Sequence, residues 1–160
     1  MDLRELTVDD LPRITALNNA AVPAVPEMTE STLAAVLSAS NVHLAAVEGS
    51  TLVGFVLGFS TGSDYASPNF AYFEQRGTNH LYVDRIVVAG EARGAGVGRI
   101  LYEKFVWLAA EQGRAEVTCE VNVDPPNPES MAFHLRLGFT EVGQQSTDYA
   151  TVALLVRPVG

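Results

Sequence analysis

Apolar positions change their period several times along the chain, and each change marks an element. Residues 2–7 alternate, which predicts a strand. Asp9 and Asp10 can then cap a helix with Pro12 in its first turn, and Ile14, Leu17 and Ala21 form its inner stripe. A proline-broken loop fills 22–28, and Thr29 or Ser31 caps a second helix running through Ser38. Val42–Glu48 and Thr51–Ser60 read as strands joined by a turn at Gly49 and Ser50. Thr61–Asn79 shows no period, is rich in Gly, Ser, Pro and aromatics, and reads as a long irregular stretch. Leu81–Val88 alternates as a strand. After a short loop, Val97, Ile100, Leu101, Phe105 and Leu108 recur at helical spacing as far as Gln112, with Gly113 as the stop.

Ala115–Asn122 is the next strand, and the short return predicts a parallel pair with a right-handed crossover. Asn127 caps another helix, Pro128 takes its first position and Gly138 ends it. Phe139–Gln145 and Ala150–Arg157 close the chain as an antiparallel pair. The order β-α-α-β-β-β-α-β-α-β-β predicts an α/β (α+β) fold with a mixed sheet, in one domain over 1–160. Phe105 and Trp107 are expected in the core by residue type, and Cys119 is expected to be buried beside Val117 and Val121.

Composition narrows the class. Charged residues are 18% and hydrophobic residues 48%, as in a soluble globular chain. A net charge of −9 with no basic patch argues against nucleic acid as a partner. It mildly favours cationic or amine substrates by steering, although for net charge alone plain solubility is the better account. With a single cysteine no intramolecular disulfide can form. No leader and no long apolar run open the chain, so no membrane association and a cytoplasmic location are expected. No His, Cys, Asp or Glu cluster has metal-ligand spacing, so no metal is expected.

The chemistry concentrates in Leu81–Lys104. A strand feeds Arg93, Gly94, Ala95, Gly96, Val97 and Gly98, and a helix opens at once. The unbonded N–H groups of a helix N-terminus and the positive end of its dipole attract anions. Glycines let the backbone approach such an anion, and phosphate or pyrophosphate is the expected ligand. A P-loop needs Lys and Ser/Thr after its last glycine, but Arg99 and Ile100 stand here. A dinucleotide fold needs G-x-G-x-x-G directly after the strand, and this spacing differs. A tight strand–helix turn without a ligand is the remaining alternative for the glycines alone.

The longer pattern, Val88 followed by R-G-x-G-[IV]-G, resembles the acetyl-CoA site of the GNAT N-acetyltransferase superfamily. Downstream, Asn127, Ser130, Phe133, His134, Gly138 and Phe139 resemble that family's N-x-x-[AS]-x-x-[LF]-Y-x-x-x-G-F segment, with histidine where the family has tyrosine. The opening residues look like the family's first strand and helix, and the phrases around 17–23 and 123–130 are similar to an uncharacterised subfamily. The resemblance implies a GNAT-like mixed central sheet with its parallel pair at the cofactor cleft. It implies acetyl-CoA, or another short acyl-CoA, as cofactor, and acetyl transfer to an amine in a ternary complex.

By the same resemblance, backbone N–H groups of Arg93–Gly98 hold the pyrophosphate, and Arg93 or Arg99 adds charge. Ile86, Val87 and Val88 offer main-chain groups to the pantetheine arm where the family's parallel strands splay. An ordinary core strand is the alternative for those three. Glu120 shares one face of its strand with Thr118 and Asn122, and Asp84 shares one with Tyr82 and Ile86. Each is near where family members place the base; the alternatives for each are a solvated or ion-paired strand residue, with Arg85 and Arg114 as possible partners, or a contact to the substrate amine.

Asn127, Ser130 and His134 form one polar stripe, flanked by Met131 and Leu135, while Phe133 and Leu137 turn to the core. His134 is a candidate acid for the CoA sulfur or a cofactor contact, and Asn127 a cap that can also bond the pantetheine. The acceptor, a small-molecule or peptide amine, is expected against Pro23–Met28 and Thr61–Asn79. Asp64, Tyr65, Tyr72, Phe73, Glu74 and Asp84 are candidate contacts, or anchors of a surface loop. A monomer or homodimer fits. The rival reading is an acyl-CoA-binding sensor or regulatory module that has lost the chemistry, motivated by the missing tyrosine. A nucleotide-binding module is a third.

Overall fold

The computed structural model describes residues 1–160. In chain order the elements are β1 (Asp2–Arg4), α1 (Leu11–Ala20), α2 (Glu30–Ala39), β2 (Val42–Glu48), β3 (Thr51–Ser60), α3 (Pro68–Arg76), β4 (His80–Val88), α4 (Val97–Glu111), β5 (Glu116–Asp124), α5 (Pro128–Arg136), β6 (Thr140–Ser146) and β7 (Thr151–Pro158). They build one seven-stranded mixed sheet in the order β1-β2-β3-β4-β5-β7-β6. The parallel pair is β4 with β5, with His80, Leu81 and Tyr82 opposite Glu116, Val117 and Thr118. The mixed α/β expectation and its parallel pair hold. Two compact units make up the chain: Met1–Gly58 with Asp84–Phe105, and Phe59–Val83 with Val106–Gly160.

In the first unit, α1 buries Leu11, Ile14, Leu17 and Asn18, while Ala21 is only half-buried. Asp10 makes no side-chain cap on α1. Its carboxylate instead takes Arg4 at 2.8 and 2.9 Å and the Thr7 N–H at 2.8 Å. Thr29 caps α2, its hydroxyl accepting the Thr32 N–H at 3.1 Å. β2 and β3 pair antiparallel through the Gly49 turn, and Leu33, Phe55, Leu57, Leu101 and Phe105 fill the core. Gly54 is the close approach: a Cβ there would lie 2.8 Å from Val97 Cγ1 and 3.2 Å from the Val87 carbonyl. Lack of a side chain on β3 therefore lets the first turn of α4 seat against the strand.

In the second unit the stretch 61–79 is not irregular throughout, because Pro68–Arg76 is α3. Its start and stop were written in the chain: Ser67 accepts the Phe70 N–H at 3.2 Å, Pro68 takes the first position, and Gly77 closes it at φ 78°. At nine residues the helix is too short for its apolar spacing to stand out. α3 is fastened to β6: Gln145 donates to Asn69 at 2.9 Å, Tyr72 donates to the Val142 carbonyl at 3.4 Å, and the Tyr72 hydroxyl fills the space a side chain on Gly143 would need. Trp107 departs from expectation at 52% exposed, since it falls on the outer side of α4. On α5 the most buried residue is His134, while Phe133 and Leu137 are half-buried.

Candidate functional site

In the first unit the end of β4 runs into the glycine loop. The Ala89 N–H donates to the Val53 carbonyl at 2.8 Å, which ties the end of β4 to β3. Val87 is buried, and Ile86 and Val88 are half-buried. Gly94 and Gly96 both adopt φ 82°, and nothing lies within 4 Å of a Cβ built on either. Two left-handed glycines around Ala95 curl the backbone, and such turns direct successive N–H groups to one side. α4 begins at Val97, and the Ile100 N–H finds the Gly96 carbonyl at 3.0 Å. The N–H groups before Ile100 in this first turn have no acceptor within the helix. Gly98 differs from its neighbours: it is the second residue of α4 and has no positive φ. Arg93 and Arg99 are exposed, and Arg99 pairs with Glu103 at 3.1 Å, one turn along the helix.

Asp84 belongs to the same unit. It pairs with Arg85 at 2.8 Å, and both side chains are 6% exposed. Arg85 also donates to the Asn18 side chain at 2.8 Å, and Asn18 donates to the Pro26 carbonyl at 2.9 Å. Asn19 donates to the Met28 carbonyl at 2.9 Å and accepts the Met28 N–H at 3.0 Å. The loop after α1 is thus held by two asparagines whose role the hydrophobic pattern did not signal.

In the second unit a polar face is built on β4 and β5. Glu120 is half-buried, and the buried Tyr82 hydroxyl donates to its Oε1 at 2.5 Å. His80 is fully buried between Glu74, 2.8 Å from Nε2, and Thr118, 2.8 Å from Nδ1. Burial pulls the His80 imidazole below its ordinary value, with Glu74 opposing. A carboxylate only accepts, so in the neutral ring Nε2–H donates to Glu74 and Nδ1 accepts the Thr118 hydroxyl. The second Glu74 oxygen takes the Gly62 N–H at 2.9 Å, so this face also holds the loop before α3.

Aromatic rings cover the polar face. Phe70 and Phe73 are buried against His80 and Tyr82, with centroids 5.5 to 5.9 Å apart. Tyr65 stacks on Phe59 at 3.7 Å and is half-buried. Among the candidate acceptor contacts, Phe73 is therefore packed inward, Tyr72 is half-buried against β6, and Asp64 is exposed.

α5 carries the remaining residues. Asn127 accepts the Ser130 N–H at 3.3 Å, so the capping role is present. His134 Nδ1 lies 2.7 Å from the Ser130 carbonyl. A carbonyl only accepts, so Nδ1 carries the proton and Nε2 keeps its lone pair in the neutral ring. Burial lowers the pKa of His134, with the Ser130 bond opposing. No group of three or more His, Cys, Asp or Glu is arranged to hold a metal ion, and no helix is long and apolar enough to cross a membrane.

Solved structures share this fold. The ribosomal-protein-S18-alanine N-acetyltransferase of Escherichia coli is 17% identical, with 99% of this chain and 93% of that one covered at a TM-score of 0.75. The ribosomal-protein-alanine N-acetyltransferase of Brucella melitensis is 21% identical, with 99% of each covered at 0.76. A phosphinothricin acetyltransferase of Sinorhizobium meliloti, in complex with acetyl-CoA, is 20% identical, with 99% and 88% covered at 0.76. At these identities the likeness shows the fold. No curated protein matches. The family itself follows from the sequence: the model of the acetyltransferase (GNAT) family matches residues 3–139, from β1 through the glycine loop and α5, and the chain belongs to that family.

Proposed function

We propose that the chain is an acetyl-CoA-dependent N-acetyltransferase that passes the acetyl group to a primary amine, of a small molecule or a peptide, by direct attack in a ternary complex. The observation that carries the reading is the loop Arg93–Gly98. Its two open glycines at φ 82° and the first turn of α4 form a backbone cradle that fits a pyrophosphate and that a side chain would fill. Bound acetyl-CoA supplies the thioester carbonyl and a thiolate leaving group. Loop N–H groups of Gly94, Gly96, Val97 and Gly98 hold the phosphates, with Arg93 adding charge at the rim, while the Ala95 N–H donates to the Ala92 carbonyl at 3.3 Å. Arg99 is the weaker contributor because Glu103 already takes its guanidinium. Main-chain groups of Ile86, Val87 and Val88, with Asn127, orient the pantetheine arm.

Glu120 is the better base. Asp84 already shares its carboxylate with a buried guanidinium, which competes for the lone pairs a base needs. Glu120 is half-buried and accepts a hydrogen bond from the neutral Tyr82 phenol. It takes a proton from the attacking nitrogen, a role worth about 10² to 10⁴ in rate. Asp84 is assigned instead to charge pairing near the acceptor, and Tyr65 to the acceptor wall. His134 is neutral near pH 7 and its Nδ1–H is committed to Ser130, so we assign it to a cofactor contact and not to the acid role.

The test is release of CoA thiol on incubation with a panel of amines, with mass spectrometry of the products. Acetylated amine is expected. Tight acetyl-CoA binding without turnover on any amine would overturn the enzyme reading in favour of a binding module.

A further inference from the structure

Tyr82 was not among the residues that sequence pattern singled out, yet its hydroxyl is placed with purpose. The ring is 1% exposed and packs against Phe70 at 5.5 Å and Phe73 at 5.9 Å. A phenylalanine would serve that packing equally well. What the hydroxyl adds is a 2.5 Å hydrogen bond to Glu120 Oε1, across 38 residues of chain. A donor bonded to a carboxylate stabilises the charged form and fixes which oxygen faces outward.

We infer that Tyr82 is a positioning residue for Glu120, holding the carboxylate in one orientation and in its ionised, proton-accepting form. The inference rests on the reading of Glu120 as base. Tyr82 keeps its own proton throughout. The proton that leaves the attacking nitrogen goes to Glu120, and the phenol bond weakens as the carboxylate is neutralised.

On the elements beside β5, the ionisable groups are held by partners of their own or lie exposed. On β4, His80 is held by Glu74, and Asp84 by Arg85. Arg76 of α3 pairs with Glu116 of β5. On α5, His134 is bonded to Ser130, and Glu129 and Arg136 are exposed. Arg157 of β7 donates to the Leu137 carbonyl at 2.7 Å, and the residue of β7 directly opposite Glu120 is Leu154. Asp124 at the end of β5 is exposed.

The experiment compares the parent with Tyr82→Phe. The Glu120 carboxyl is titrated by carbon-detected NMR in the free protein, and kcat/KM is followed against pH. A hydrogen bond to a charged group predicts that both the Glu120 titration and the acid limb of kcat/KM move up by about 1 to 2 pH units. Acetyl-CoA affinity stays unchanged, and activity recovers at high pH. An unmoved Glu120 titration in a folded Tyr82→Phe protein overturns the inference.

Should Tyr82→Phe fail to fold, the Tyr82 phenol is titrated in the parent and in Glu120→Gln. A phenol that ionises at lower pH once the carboxylate is gone supports the pair; one that does not move overturns it. If Glu120→Gln keeps full turnover, the base reading fails and the catalytic role of Tyr82 falls with it. The NMR titration still tells that failure apart from absence of the bond.

Discussion

The glycine loop of the first unit and the polar face of the second are built in opposite ways. The loop is made of backbone. Its N–H groups come from residues within one short stretch, its shape from two glycines at φ 82°, and its charge preference from the start of α4. The polar face is made of side chains brought together over long separations: Tyr82 with Glu120 and His80 with Thr118 across 38 residues each. A backbone site tolerates change around it as long as the turn survives. A side-chain network fails when one member is lost, because each buried donor left behind lacks its partner. The first construction suits holding a large anion, the second suits holding a proton acceptor in place.

Three substitutions and conditions sharpen this contrast. Gly54→Val is expected to have the largest effect on folding, since the new side chain meets Val97 and the Val87 backbone. Overpacking of this kind costs about 3 kcal/mol. The urea midpoint should fall, and a midpoint equal to the parent's would mean that α4 does not depend on this close approach. Glu74→Ala removes the carboxylate that His80 and the Gly62 N–H use, and the site is open enough for water to replace part of the loss. A destabilisation of about 1 to 2 kcal/mol is expected from the lost hydrogen bonds, with acetyl-CoA affinity unchanged because neither Glu74 nor His80 is among the proposed cofactor contacts. A weakened cofactor affinity in a folded Glu74→Ala protein would break the division of labour.

Acid is the gentlest of the three. Burial holds both His80 and His134 below the ordinary 6.5. The unfolded chain then binds more protons than the folded one below that value. Stability is fully present above it and is lost as pH falls through the folded pKa values. Denaturant unfolding at about pH 7.5 and about pH 5.5 should show the loss, and a smaller one in His80→Gln. Equal stability at both would place the imidazoles in contact with solvent.

The same contrast explains what was legible in the chain. Local grammar carried most of the strands, the caps at Thr29 and Asn127, and the loop from Arg93 to Gly98, because each depends on neighbours within a few residues. Helix α3 was also written locally, in Ser67, Pro68 and Gly77, but too briefly for its period to register against a glycine- and serine-rich background. Asn18, His80 and Tyr82 were out of reach for another reason. Their hydrogen bonds join strands and helices that only the fold brings together, and a polar residue on an alternating strand gives no hint of its partner. Trp107 shows the limit of residue type as a guide: its size argued for the core, and its place on the outer side of α4 prevailed. Gly54 offered a signal that periodicity passes over, a glycine inside a strand, which marks a close approach of another element.

The central claim is that backbone N–H groups between Gly94 and Gly98 hold the cofactor's phosphates. Its most direct test is isothermal titration of the parent and Gly96→Val with two ligands, acetyl-CoA and the phosphate-free acetyl-pantetheine. Valine at φ 82° costs about 1 to 3 kcal/mol in strain or forces the turn to open. Acetyl-CoA affinity is therefore predicted to fall about tenfold or more, since about 1.4 kcal/mol corresponds to tenfold. Acetyl-pantetheine should bind both proteins alike. If acetyl-CoA binds Gly96→Val as tightly as the parent, with the fold confirmed by circular dichroism, the loop is a strand–helix turn and the account is contradicted.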